Sequence, residues 1–287
     1  MDFIKTRKIW YSFTAVVLLA SLAILVFNFI SGRGAFNLGI DFTGGTSWTI
    51  SFENPVTLSD LREALSGERV SITTIDNDFS IKTTEFSVEQ KEKFTEVLGA
   101  LGTYQVLDFE NIGASAGSDL SRQAVILTVL VLAGMLIYIT FRFEFWTGLT
   151  AVLCLGHDVL ITLALLSLLR VNFDISMIAA ILTVIGYSIN ATIIVFDRIR
   201  EDQKSKEYAN DPFAVIVNRS LHSVLGRCIF TSGTTMLAVL ALYLFGGLSI
   251  KAFALTMFIG FTAGTYSSIF LASQLYVTFR KLQGEAV

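Results

Sequence analysis

Residues 186–201 read GYSINATIIVFDRIRE, and the first part lies inside a long apolar run. Tyr187, Ser188, Asn190 and Thr192 fall close together there. Hydroxyls and amides can hold a proton or small cation by hydrogen bonding, but only an ionisable group takes one up and releases it. At 100° per residue, Tyr187, Asn190, Ala191 and Ile194 share one helix face, and Ser188, Ala191, Thr192 and Val195 share an overlapping one. The centre of this polar stripe is therefore Ala191, which cannot titrate. Asp197 and Arg198 follow at the end of the run and read as interface residues.

Two further places put chemistry inside apolar sequence. LCLGHDVLITLALL carries His157 and Asp158. An Asp at the centre of a spanning helix costs about 2.5–3.5 kcal/mol on insertion scales. It must therefore face other helices or water. A structural hydrogen bond between packed helices and an ion site both fit it. LGRCIFTSGTTM places Arg227, Thr231, Thr234 and Thr235 one above another on a helix, with Ser232 and Gly233 among them. Snorkelling explains Arg227 and helix–helix adhesion explains the hydroxyls equally well. Later, GFTAG spaces Gly260 and Gly264 as a small-residue packing face, followed by Thr265, Tyr266, Ser267 and Ser268. These three polar or small faces are expected to pack together around a hydrated path.

Composition sets the class. The chain has 287 residues, 53% hydrophobic and 16% charged, with mean hydropathy +0.65. Soluble domains carry about a quarter charged residues, so the excess here reads as membrane protein. A net charge of −3 gives no reason to expect a nucleic-acid partner. Cys154 and Cys228 fall in or beside apolar runs and imply neither a disulfide framework nor a metal site. HExxH, GxSxG, Walker A and GxGxxG patterns do not occur. No catalytic constellation emerges, so the chain does not read as an enzyme and no cofactor is expected.

A spanning helix needs about 20 mostly apolar residues. Six stretches qualify: roughly 9–30, 123–141, 147–169, 175–197, 228–247 and 252–278. The first reads as a retained anchor rather than a cleaved signal. RFEFW between the second and third forces a tight hairpin. Lys5, Arg7, Lys8, Arg142, Arg198, Arg200, Lys204, Lys206, Arg219, Arg280 and Lys281 fall on one side, against Arg170 and Lys251 on the other. That asymmetry predicts both termini in the cytoplasm and the loop 31–122 outside, in the periplasm or extracellular space. Trp10, Tyr11, Phe145 and Trp146 fit an interfacial belt.

The loop is long enough to fold. Strand-like TSWTISF (46–52), helical TLSDLREALSG (57–67), the alternating RVSITTI and FSIKTT around a turn at 76–78, helical SVEQKEKFTEVLGALG and strand-like YQVLDFENI follow in order. Ser87 and Gln90 have capping-box spacing. The order β-α-β-β-α-β is that of a ferredoxin-like α+β domain. The fold class is thus a polytopic helical membrane protein of six transmembrane helices with one such external domain. Its divisions are 1–30, 31–122, 123–278 and a tail at 279–287. Just before the first strand, LGIDFTGGTSW places Asp41, Phe42, Gly44 and Gly45 in what reads as a tight turn.

Taken together, LGIDFTGGT at 38–46, HDVLIT at 157–162, IGYSINATIIVFDRIRE at 185–201, TSGTT at 231–235 and LYLFGG at 242–247 resemble the SecF family of protein-export membrane proteins. The resemblance covers essentially the whole chain, with IGASAGSDL at 112–120 a looser match. SecF pairs with SecD and belongs to the resistance–nodulation–division superfamily. The resemblance implies a role downstream of SecYEG, in which SecD and SecF promote release of translocated chains by drawing on the proton gradient, or on sodium in some members. Partners so implied are SecD, the SecYEG translocon, YidC and YajC as further candidates, emerging polypeptides and lipid. Asp41 with Gly44 and Gly45 would shape a hinge between membrane and external domain.

The family's key carboxylate follows GYS-hydrophobic-N. Gly186, Tyr187, Ser188, Ile189 and Asn190 match, and Ala191 stands at the Asp position. Arg227 matches the family's Arg, and Thr231, Ser232, Thr234 and Thr235 its hydroxyl cluster. HSVLG before Arg227 departs from the usual polar sequence, and Cys228 stands where Thr is common. Three accounts of Ala191 stay open: an engineered replacement, a native Ala with coupling carried by SecD alone, or another acid (Asp158 or Asp197) taking over. The first two are favoured, because an Asp does not move along a helix without new geometry. The candidate ion-coupling set is Asp158, Tyr187, Ser188, Asn190, Ala191, Arg227, Thr231, Ser232, Thr234 and Thr235. Rival readings are a scaffold for SecD, a half-size small-molecule exporter, and an intramembrane protease pairing Asp158 with Asp197. The last requires two acids expected at different depths to share a site.

Overall fold

The computed structural model describes residues 2–32, 34–68, 70–75, 78–83, 88–208 and 210–282. Most of the expected turn at 76–78, and the side chains of the Ser87–Gln90 capping box, lie outside the described residues. The chain divides into two compact units.

The first unit takes in residues 1–37, 128–171 and 176–287. Six of the described helices are long and apolar enough to cross a membrane. They are α1 (Arg7–Ile30), α5 (Ala114–Arg142), α6 (Phe145–Leu168), α7 (Ile175–Lys204), α8 (Phe213–Phe245) and a last span, Ile250–Leu282. The last span is built from α9 (Leu248–Tyr266), a π-helical turn at Ser267–Leu271 and α10 (Ala272–Leu282). Several helices run past the apolar windows that announce them. α8 begins at Phe213, well before residue 228, because the polar stretch NRSLHSVLGR keeps helical backbone while losing hydropathy.

Burial sorts the helices. Half of α6's apolar window and 56% of the last span's are buried, against 17% for α1 and 11% for α5. α6, α7 and the last span therefore form the centre, while α1, α5 and α8 present Leu, Val and Phe outward. One end of the centre packs Ala151, Cys154, Val195, Phe196, Ile199, Val217, Leu221, Ile269 and Ala272. The N-terminal segment is part of this core. Phe3 is buried, its N–H donates to Asn218 Oδ1 (2.9 Å), and its carbonyl accepts from Gln274 Nε2 (3.1 Å).

Polar links join the spans, as expected where lipid offers no partner. Asn28 Nδ2 donates to Ser167 Oγ (2.9 Å), and Thr14 Oγ1 bonds Tyr266 Oη (2.9 Å). α6 ends when Arg170 turns to φ 52° and Val171 N–H reaches back to Leu166 O (3.1 Å), a Schellman-type closure.

The second unit takes in residues 38–127 and 172–175. Its sheet is antiparallel in the order β3-β4-β2-β5, where β2 is Gly45–Phe52, β3 Val70–Ile75, β4 Asp78–Thr83 and β5 Tyr104–Ile112. The connections carry α3 (Leu58–Ala64) and α4 (Val88–Leu101). α3 starts in a capping box, Thr57 with Asp60, rather than relying on propensity alone. Trp48, Ile50, Leu61, Phe79, Ile81, Phe94 and Leu98 fill the space between sheet and helices. The short α2 (Ile40–Thr43) leads into β2.

Close helix approach depends on Gly260. A Cβ there would collide with the Val184 methyls and stand 2.9 Å from its Cβ, and a stiff valine cannot swing aside. Gly260→Ala is expected to destabilise the helical unit by about 1–3 kcal/mol through overpacking, read as a lower midpoint in detergent unfolding. Gly233→Ala, where a Cβ meets open space, is the control and leaves the midpoint unchanged or raised.

Candidate functional site

The site grows from Asp158 on α6, which is 1% exposed. Its Oδ2 accepts hydrogen bonds from Ser188 Oγ on α7 and from Ser267 Oγ (2.8 Å) in the last span. Its Oδ1 lies 2.9 Å from Nδ1 of His157, which is also buried. The cluster thus ties three helices through one carboxylate. Thr162 Oγ1 returns to the Asp158 carbonyl (2.7 Å), so its hydroxyl is used locally.

Local backbone features bring these groups together. A Cβ on Gly264 would stand 3.0 Å from Ser188 Cβ and 3.1 Å from its Oγ, so the glycine lets α9 sit against the serine. The π-turn begins at Ser267, directly after α9. An inserted residue of this kind re-aims side chains and occurs often at functional sites. A second polar layer follows: Thr192 Oγ1 bonds Ser268 Oγ (3.0 Å), and Ser268 donates to Gly264 O (2.7 Å).

The stripe centred on Ala191 divides. Ser188 and Thr192 face inward to α6 and the last span. Tyr187 turns toward α8, where its Oη donates to Ser232 Oγ (3.2 Å) and its ring lies 4.2 Å from that of Phe261. Asn190, Arg227, Thr231 and Thr234 are exposed, with Ala191 and Thr235 half-buried. Thr234 and Thr235 spend their hydroxyls on the Thr231 carbonyl (2.9 and 3.0 Å). Asn190, Arg227, Thr231 and Thr234 thus lie on the outer side of this chain, while Tyr187, Ser188 and Thr192 join α7 to its neighbours. A helix wheel places residues around an axis but does not say which sector meets a neighbour, and here α6 and the last span take the Ser188 sector.

At the end of α7, Asp197 accepts from Arg142 Nη2 (2.6 Å to Oδ1), and Arg198 pairs with Glu201 (3.2 Å) and the buried Asp202 (3.1 Å), which Ser220 Oγ also meets (2.7 Å). Asp197 and Asp158 thus have separate partner sets, which removes the support for a two-aspartate site. Among the described residues, no group of three or more His, Cys, Asp or Glu side chains is placed to hold a metal ion.

Within the second unit, the Asp41–Gly45 motif has its own geometry. Asp41 Oδ2 accepts from the backbone N–H of Ile175 (2.8 Å), the first residue of α7. It does the work of an N-cap supplied from far away in sequence. Gly39, just after β1 (Asn37–Leu38), donates its N–H to Phe173 O (2.7 Å) in β6 (Asn172–Phe173), and the Phe42 and Phe173 rings lie 5.9 Å apart. Gly44 has φ 68° and Gly45 φ 119°. A Cβ on Gly44 would meet Ala114 Cα at 2.9 Å, and one on Gly117 would meet Gly44 N at 2.9 Å. Positive φ and backbone contact together restrict these positions to glycine. Burial pushes the Glu110 carboxyl above its ordinary range, helped by the charges of Asp108, Asp41 and Asp174.

Sequence reading missed Ser267 as part of the site. Its polar neighbours Thr265 to Ser268 were visible, but the π-turn that aims Ser267 at Asp158 leaves no periodic trace.

Six apolar helices with buried ionisable groups among them, plus a small sheet unit, define a multi-span membrane protein. Residues 91–282 match the family model described as protein export membrane protein SecD/SecF, C-terminal, and residues 35–56 match the SecD/SecF GG motif. The chain belongs to the SecD/SecF family of protein-export membrane proteins. It is 37% identical to protein translocase subunit SecF of Sebaldella termitidis, covering 99% of this chain and 93% of that one. It is 39% identical to protein translocase subunit SecDF of Thermus thermophilus over 94% of this chain but only 37% of that protein. The crystal structure of Thermus SecDF superposes with TM-score 0.86 at 36% identity, covering 98% of this chain and 39% of that one. A SecDF structure in the super-membrane-facing form gives 0.70 at 35% identity, covering 99% of this chain and 39% of that one.

Two tests follow. Asp41→Ala removes the cap and is expected to cost about 0.5–2 kcal/mol locally, seen as faster amide exchange at Ile175. Glu110 has a raised folded-state value, so the folded chain binds more protons than the unfolded one between the ordinary carboxylate range and that raised value. Its effect on stability therefore worsens as pH rises through this window. Glu110→Gln is expected to slow exchange of β2 and β5 amides at neutral pH, with the difference vanishing below the ordinary carboxylate range.

Proposed function

We propose that this chain is the SecF-type accessory subunit of a Sec protein-export machinery. It acts with a SecD partner downstream of SecYEG, and it promotes release of translocated chains at the expense of the proton gradient, with sodium as the alternative ion. It catalyses no covalent step. The observation that carries this reading is the exposed polar sector of α7 and α8: Asn190 within the apolar part of α7, and Arg227 and Thr231 where the polar first half of α8 gives way to its apolar second half. Such groups are costly against lipid. A second helical unit must cover them, and SecDF proteins are more than twice as long as the region they share with this chain. SecD supplies that unit in this reading, with SecYEG, YidC and YajC as further contacts of the assembly.

The Lys and Arg asymmetry supports both termini in the cytoplasm and the second unit outside the inner membrane in this reading. The order β3-β4-β2-β5 with a helix in each crossover supports the ferredoxin-like reading of that unit, and the six-helix arrangement supports a place in the resistance–nodulation–division superfamily. In this reading Arg227 and Asn190 face the partner's acid across the interface, and Ala191 leaves the partner as the source of charge there.

The test is release of a secreted reporter with the matching SecD, with and without an uncoupler, for this chain and for Ala191→Asp. A larger uncoupler-sensitive release with Asp identifies the α7–α8 face as an ion site silenced by alanine. Unchanged, uncoupler-sensitive release assigns coupling to the partner or to the Asp158 cluster. Release insensitive to uncoupler in both chains refutes gradient coupling and leaves a scaffold.

A further inference from the structure

We infer that the His157–Asp158 pair is a proton-binding site internal to this chain, with His157 Nε2 as the atom that takes up the proton and Asp158 as its orienting counter-charge. The inference deepens the export reading and rests on it only for what the proton is used for.

The argument starts from donor and acceptor counts. An ionised carboxylate only accepts, and Asp158 meets two hydroxyls at Oδ2 and an imidazole nitrogen at Oδ1. Three donors satisfy it if His157 carries its proton on Nδ1. Nε2 then holds a free lone pair. It is buried and has no hydrogen-bond partner, while the His157 side chain as a whole is 2% exposed. A structural histidine in a helix bundle normally satisfies both nitrogens, so the vacant Nε2 needs a reason.

Charge supplies it. Among the described residues Asp158 forms no ion pair with a Lys or Arg; its one charged-type partner is His157. With neutral imidazole, the pair holds a single negative charge in an apolar bundle, an expensive arrangement. Adding a proton to the Nε2 lone pair neutralises the pair without breaking any bond between heavy atoms. The Nδ1–H to Oδ1 bond is kept and becomes charge-assisted. A carboxylate that holds an imidazole in one tautomer and stabilises its cation is an arrangement general acid–base chemistry uses repeatedly.

The neighbouring titratable groups do not replace it. Cys154, one turn earlier on α6, is an electrostatic neighbour of Asp158, and Tyr11 of α1 lies near Cys154. Tyr266 of α9 sets its ring 5.9 Å from the imidazole, with its hydroxyl bonded to Thr14 of α1. α7 contributes Ser188 and the π-turn contributes Ser267, neither of which titrates. Both hydroxyls lie on helices other than α6, so the carboxylate that orients the imidazole is itself held by α7 and the last span.

The chain has two histidines, His157 and His222, so imidazole ¹⁵N spectra of the full chain with its SecD partner in lipid vesicles are tractable, and His157→Gln assigns them. The expected result is an Nδ1–H tautomer at high pH, with the Nε2 resonance moving from the pyridine-type to the imidazolium region on acidification. Ser267→Ala, which keeps the pair but removes one donor, is expected to alter the pH of that transition, and Asp158→Asn to change the tautomer. An Nε2–H tautomer at high pH, or an Nε2 resonance that stays fixed wherever the chain remains folded, overturns the proposal. In the same vesicles, His157→Gln is expected to lose the uncoupler-sensitive part of reporter release. If the imidazole titrates but wild-type release ignores the uncoupler, the proton site stands and the export reading fails. If release is uncoupler-sensitive and the imidazole does not titrate, the reading stands and this site is refuted.

Discussion

A carboxylate inside a helix bundle must find its partners within the protein, because lipid offers none. Asp158 sets that condition here, and much of the helical unit answers it. Ser188 and Ser267 reach it from different helices. Gly264 gives Ser188 room, Gly260 lets Val184 come close, and the π-turn rotates Ser267 into reach. These contacts join α6, α7 and the last span, the three helices with the largest buried share.

α7 carries two polar sectors with different fates. Ser188 and Thr192 are internal and fully engaged. Asn190 on the same turns faces away from the bundle, as do Arg227 and Thr231 of α8. The first sector holds the subunit together, and the second is available to whatever covers this side. One helix can do both because its faces repeat every 3.6 residues.

The spans were legible because twenty apolar residues are a strong signal, and the inserted Asp158 was legible because it violates that signal. Helix ends were not: α8 starts at Phe213 where hydropathy is already low. Ser188 could be read as a site residue from its spacing, but its separation from Asn190 could not, since sectors acquire meaning only from neighbours. Ser267 was invisible as a ligand of Asp158 because a π-turn changes direction without changing composition. In the sheet unit, the order of elements followed from alternation and breakers, whereas the placing of β2 between β4 and β5 is a long-range pairing that no local pattern encodes. The glycines at 44 and 45 announced a turn; that Gly44 also abuts Ala114 and Gly117 required the fold.

The bond from Asp41 to the Ile175 amide spans 134 positions of sequence. A ribosome delivers Asp41 long before it delivers α7, so the first turn of that helix completes only after α5 and α6 have been made. The cap that Asp41 gives to Ile175 is therefore a bond between the early and the late part of the chain, and it cannot form before residue 175 has been made.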